Sequence, residues 1–81
     1  MNIPLEVEQF IVNEIAAGRG IDAIEHDSDM LAGGVIDSLG ITELIGFLER
    51  EYGIKVEDDD IDAENFRSIQ SIVAFVERKR G

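Results

Sequence analysis

The chain has 81 residues, no cysteine, one histidine, and 18 Asp and Glu against 7 Lys and Arg, for a formal net charge of −11. That length suits one domain, residues 1–81, with a limited core. The missing cysteines exclude a disulfide framework and a thiolate metal site, and the charge repels nucleic acid and anionic membranes while steering basic partner surfaces toward the protein. With 44% apolar residues, the chain is expected to fold despite its charge. No apolar run reaches transmembrane length, so no membrane insertion is expected. Met1-Asn2-Ile3-Pro4-Leu5-Glu6 lacks the basic flank of a signal peptide, which makes a cytoplasmic location the expectation.

The first predicted helix opens at Pro4, whose missing N–H costs nothing in a first turn. Glu6 and Glu8 complement the helix dipole. Val7, Phe10, Ile11 and Ile15 follow helical spacing, and the helix is expected to stop near Gly18 or Gly20. Glu14 breaks the pattern, because it falls in the same arc as Val7 and Phe10. Residues 18–37 carry no sustained period, and loops this long are usually functional. Their apolar side chains, Ile21, Ile24, Met30, Leu31, Val35 and Ile36, are expected to pin the loop across a bundle. Ser28 is the expected cap of a short turn through Met30 and Leu31.

Residues 38–52 give the clearest helix. Ile41, Leu44, Ile45, Leu48 and Tyr52 cover about a 100° arc, the width of a core-facing stripe. Leu39, Glu43, Gly46 and Arg50 fall on the opposite side, so Leu39 is apolar surface that the core stripe does not need. Gly53 is the expected cap. After a charged connector over residues 55–60, Asp62 is the predicted N-cap of a short helix, with Ile61 and Phe66 at the spacing of a hydrophobic staple. Ser68 is placed to cap a last helix carrying Ile69, Ile72, Val73 and Val76 on one stripe, with Arg78, Lys79 and Arg80 at its C-terminus, where positive charge is favoured. The predicted fold class is all-α: three main helices and a short third helix in sequence order, a four-helix bundle with a long first loop. No strand signal competes.

The stretch most suggestive of chemistry is Gly33-Gly34-Val35-Ile36-Asp37-Ser38-Leu39. A serine at a helix N-terminus lies beside unpaired backbone N–H groups, where negative charge, including phosphate, is favoured. The adjacent Asp37 can hold a divalent cation. On position alone the serine is equally well a first-turn hydroxyl behind an Asp37 N-cap.

Asp37-Ser38-Leu39, followed by Glu43-Leu44, resembles the carrier-protein family: acyl carrier proteins and the related peptidyl carrier domains. The resemblance extends over nearly the whole chain, through the long first loop, the short acidic segment and Asn65-Phe66-Arg67-Ser68-Ile69. It implies an acyl-carrier-protein-like four-helix bundle. It also implies that Ser38 is esterified with 4′-phosphopantetheine, taken from coenzyme A by a magnesium-dependent phosphopantetheinyl transferase. The terminal thiol of that arm then holds acyl or aminoacyl cargo as a thioester, which fits a chain without cysteine. By the same resemblance Asp37 helps place the magnesium ion, and Leu39 is contacted by partner enzymes. Those partners are the transferase, a loading ligase or acyltransferase, and a downstream acceptor enzyme, meeting a monomer. Acidic residues near the serine, Glu43, Glu49 and Glu51, are candidates for meeting basic patches on them.

Two departures bear on the subtype. Gly34 lies four residues before the serine rather than three, a pattern that looks more like stand-alone carriers fed by an adenylating ligase than like the housekeeping fatty-acid carrier. Gly40 stands where fatty-acid carriers usually have an acidic residue, and Gly46 where a bulky apolar residue is common. They suggest either a flatter docking face, with Gly46 part of it, or tolerated drift.

Other constellations give less. An EF-hand loop starting at Asp58 would need glycine at Ala63 and glutamate at Ile69, and both fail. The acidic run Glu57-Asp58-Asp59-Asp60 reads first as a solvated face, with loose divalent-cation binding by its clustered carboxylates as the alternative. A hydrolase made of Ser38, His26 and Asp37 would need adjacent residues on opposite sides of one imidazole, so no enzyme activity is expected and His26 reads as a surface loop residue. The rival to a carrier is an unmodified acidic helical adaptor that docks on basic partner surfaces.

Overall fold

The computed structural model describes residues 2–81. Met1, which opens the stretch inspected for a leader, lies outside them. The described residues are helical or looped, with no strand among them.

Helix α1 spans Ile3–Phe10 and is capped by the Asn2 side chain, which accepts the Leu5 N–H at 3.1 Å. Pro4 sits in its first turn, as the sequence requires. Ile11–Ile15 then winds as a π-helical turn, closed by the Ala16 N–H on the Ile11 carbonyl at 2.8 Å. The wider turn resolves the conflict at Glu14. Each residue of a π turn rotates less about the axis than in an α-helix, so the side chains after Ile11 lag behind their α-helical positions, and Glu14 is exposed while Ala16 is buried.

The loop over residues 18–37 is pinned at both levels, backbone and side chain. Met30 is fully buried, and its N–H donates to the Arg67 carbonyl at 2.7 Å. Its own carbonyl accepts from Val35 at 2.9 Å and Ile36 at 3.2 Å. The His26 carbonyl accepts the Gln70 N–H at 2.8 Å. The turn at Met30 and Leu31 is capped by Asp29, whose carboxylate accepts from Leu31 and Ala32, and not by Ser28, whose hydroxyl donates back to the Glu25 carbonyl. Asp29 wins because its Oδ1 alone accepts two successive N–H groups, at 3.1 Å from Leu31 and 2.9 Å from Ala32.

Helix α2 spans Ser38–Tyr52, between an Asp37 cap and a left-handed Gly53 at φ 65°. Leu44, Leu48 and Tyr52 are buried, with Ile41 and Ile45 half-buried beside them. A 3-10 turn, Asp58–Asp60, leads through the Asp62 cap into the short α3, Ala63–Phe66. Ile61 stays 42% exposed, whereas Phe66 is buried against Phe75, their ring centroids 5.6 Å apart. That contact turns the buried stripe of α4, Ile69–Arg80, toward Phe75. Ile69, Ile72, Phe75 and Val76 are buried, and Val73 is only half so. α4 packs on both α1 and α3 and forms the centre of the core.

Candidate functional site at the start of the second helix

At the head of α2 three consecutive residues do three different things. Asp37 is extended, and its Oδ1 accepts the Gly40 N–H at 2.9 Å, so the aspartate alone satisfies the N-cap. Ser38 is the first helical residue and is exposed, and among the described residues its hydroxyl makes no hydrogen bond. Leu39 is 69% exposed, the most exposed large apolar side chain described. The arrangement presents a free hydroxyl over a helix N-terminus, with a carboxylate on one side and bare apolar surface on the other. A hydroxyl in that setting can take a phosphate ester: the helix end favours the added negative charge, and no internal bond has to break.

Gly40, the next residue, belongs inside and not on a docking face. A Cβ there would stand 3.0 Å from Ile15 Cγ2 and 3.4 Å from Ile36 Cγ2. Its missing side chain lets the end of the first helix close over the first turn of α2. A side chain at this position would have to push the Ile15 methyl aside. Gly46 differs: it is exposed, and a Cβ added there would meet open space. Glu43 is exposed as well, but Glu49 is half-buried and its carboxylate accepts the Val56 N–H at 2.9 Å.

Two residues at this site are not assigned to it by the sequence, although Ile15 stands on the apolar stripe of the first helix. Arg19 reaches across from the end of the first helix and donates to the Gly34 carbonyl at 2.8 Å and the Val35 carbonyl at 3.1 Å. Ile15 fills the notch at Gly40. The one visible signal for Arg19 is that it is the only Lys or Arg in the first 49 residues.

His26 stands elsewhere. Its Nε2 lies 2.8 Å from Glu8 Oε1, while Glu8 Oε2 accepts the Ile24 N–H at 3.1 Å. The His26 hydrogen bond, then the Ile24 N–H, holds the Glu8 carboxyl below its usual range. This clasp ties the loop to α1 and joins neither Asp37 nor Ser38. A cleft of about 900 Å³ between Pro4, Ile24, His26, Ile69 and Val73 has none of Asp37, Ser38 or Leu39 in its lining. Among the described residues no group of three or more His, Cys, Asp or Glu is arranged to hold a metal ion. No described helix is long and apolar enough to cross a membrane.

The chain matches the family described as "Phosphopantetheine attachment site" over residues 9–76. It is 32% identical over 83 aligned positions to an acyl carrier protein of Solidesulfovibrio magneticus, covering 100% of this chain and 99% of that one. It is 31% identical over 77 positions to an acyl carrier protein of Campylobacter hominis, with 95% and 92% covered. It is 30% identical over 75 positions to "Probable acyl carrier protein PigG" of a Serratia species, with 89% and 86% covered. Proteins of this family bear 4′-phosphopantetheine, and they are carriers that serve a transferase and biosynthetic enzymes without catalysing a reaction themselves. The free hydroxyl at a helix start, the all-helical core built on α4 and this similarity along the chain's length agree, and the chain belongs to the acyl carrier protein family.

Proposed function

We propose that Ser38 is the residue that takes the 4′-phosphopantetheine arm, and that the protein is a stand-alone carrier, one domain over residues 1–81, for acyl or aminoacyl groups. The observation that carries this reading is the division of labour at the helix start. Asp37 does the capping, which leaves the Ser38 hydroxyl exposed and uncommitted. In the attachment reaction the Ser38 oxygen forms the new bond to phosphorus and loses its proton, and the nucleotide part of coenzyme A leaves. Asp37 spends one carboxylate oxygen on Gly40 and keeps the other to orient the magnesium ion that the transferase uses. When bound, the arm supplies a thiol that holds cargo as a thioester.

Leu39, Glu43 and Gly46 form the surface offered to partners, with Glu49 adding charge while one of its oxygens stays on Val56. The partners are a phosphopantetheinyl transferase, a loading ligase or acyltransferase, and an acceptor enzyme, met in the cytoplasm by a monomer. Their docking is transient and weakens with salt, because exposed carboxylates supply much of the attraction. The glycine pattern Gly34-Val35-Ile36-Asp37-Ser38 favours loading by an adenylating ligase. Intact mass after incubation with a broad-specificity transferase, magnesium and coenzyme A tests the assignment. A gain of one phosphopantetheine that Ser38→Ala abolishes is the expected result. No gain with several transferases leaves the acidic adaptor as the better reading.

A further inference from the structure

We propose that the end of the first helix is a clamp on the modification site, and that Arg19 is a positioning residue for Ser38. The inference rests on the reading of Ser38 as the modified residue. A serine that must enter another enzyme's active site has to keep its own hydroxyl free, so its orientation must come from its neighbours. Here the neighbours on both sides are held by one short segment, residues 15–19.

On the upstream side, the Arg19 guanidinium donates through Nη2 to the Gly34 carbonyl and through Nη1 to the Val35 carbonyl, at 2.8 and 3.1 Å. Among the described residues no backbone N–H of the loop is bonded to either carbonyl. A planar fork reaching two successive carbonyls fixes direction as well as distance, which a lysine amine cannot do. On the downstream side, Ile15 packs against the bare backbone of Gly40. Met30 completes the frame from within, its carbonyl accepting Val35 and Ile36. The chain between these anchors, Asp37-Ser38-Leu39, is exposed throughout.

The segment is shaped for this reach. The π-helical turn brings Ile15 toward α2, and the Arg19 N–H turns back onto the Ala16 carbonyl at 3.2 Å. Gly18 and Gly20, on either side of Arg19, have φ of 81° and 74°, a left-handed backbone that side chains rarely adopt. The turn therefore leaves the helix axis and aims its one cation at the loop. A π turn in this role agrees with the frequency of such turns at functional sites.

The bland alternative is a solvated arginine whose bonds to exposed carbonyls contribute nothing. The two differ in measurable ways. Without the clamp, Ser38 samples more orientations, so the transferase meets a smaller competent fraction. Its apparent affinity for the carrier falls by that fraction, while turnover of the bound carrier does not.

The experiment compares wild type, Arg19→Ala and Arg19→Lys as full-length chains. It measures transferase kcat and KM with coenzyme A, amide hydrogen exchange at Val35 and Ile36, and Tm. For Arg19→Ala the expected result is a KM raised roughly three- to tenfold with kcat within about twofold, and exchange at Val35 and Ile36 faster by roughly five- to tenfold. Arg19→Lys, which keeps the charge and can satisfy one carbonyl at a time, falls between. An Arg19→Ala protein with wild-type KM and wild-type exchange overturns the clamp. So does one that loses kcat and Tm together with KM unchanged, since that marks a merely structural residue. If wild type itself gains no phosphopantetheine, the reading of Ser38 fails, and the exchange data still decide whether the clamp exists.

Discussion

Two serines begin helices in this protein, and they are opposites. Ser68 stands at the N-cap of α4, is 6% exposed, accepts the Ser71 N–H at 3.1 Å and donates to the Ser71 hydroxyl at 3.0 Å. Ser38 stands one position later in its helix, is exposed, and has its capping duty taken over by Asp37. The same residue type is thus structural where it caps and available where an aspartate caps for it. A reactive hydroxyl at a helix start requires a second capping group, because an orphan N–H would otherwise claim it.

The largest effect should come from exchanging these roles by mutation. Ser38→Ala should abolish phosphopantetheine loading, read by intact mass, while changing stability by no more than about 0.5 kcal/mol. Ser68→Ala should leave loading of the folded protein intact and cost about 1 kcal/mol, or roughly 4–8 °C in Tm. Equal losses of stability in the two variants would break the comparison.

Next come the neighbours of Ser38. Leu39→Ala should lower kcat/KM with partner enzymes by roughly tenfold, the scale of one lost contact of about 1.4 kcal/mol, with Tm near wild type. If Tm collapses instead, Leu39 is core and the exposed face has been misassigned. Gly40→Ala should be destabilising by roughly 1 kcal/mol, because a methyl forced against Ile15 outweighs the gain in helix propensity. Gly46→Ala meets open space and should stabilise by about 0.8–1 kcal/mol. Thermal unfolding of the two variants therefore moves in opposite directions.

A smaller effect sharpens the contrast from the side of α4, whose first turn is tied through Gln70 to His26 and so to Glu8. The Glu8 carboxyl is lowered in the folded state, chiefly by its bond to His26. Such a group contributes stability that is present above its unfolded value, 4.5, and is lost as pH falls through the lower folded value. Glu8→Gln should accordingly flatten the acid limb of a Tm–pH curve below pH 4.5 and leave Ser38 loading at neutral pH unchanged. Asp60, lowered mainly by its 2.8 Å contact with Lys79, contributes in the same sense. The smallest effect is general. Raising salt from low to moderate should raise Tm slightly, since it screens the repulsion within a chain of charge −11. A flat or falling Tm would show that repulsion is not what limits stability.

Much of the frame could be read from local patterns. Asp37 and Gly53 bracket α2, and Ser68 and Asp62 cap the helices they precede, because capping depends on residues within a turn of each other. Leu39 fell off the core stripe by simple rotation, and it is exposed. What escaped was whatever depends on a contact from far along the chain. Phe75 and Ile54 are buried although neither stood on a predicted stripe. Phe75 is drawn in by Phe66, a residue of another helix. The Asp29 cap is the exception, a local contact for which the sequence offered the serine next to it instead.

Glu14 is the instructive case, since the sequence showed the conflict but not its solution. An acidic residue in an apolar arc has to leave that arc, and only packing decides whether the side chain bends away or the helix changes pitch. Here the pitch changes. The same π turn sends Ile15 to Gly40 and Arg19 to the loop before Ser38.

The sequence by itself determined the main helices, the caps of α2, α3 and α4, the surplus apolar surface at Leu39 and the serine at the mouth of α2, because periodicity and capping are written within a few residues. The tertiary structure alone decided that Ser38 is left unbonded, that Gly40 is a notch rather than a docking surface, and that Arg19 and Ile15 hold the site from 15 or more residues away. Those properties arise from pairs of residues that meet only once the chain has closed on itself.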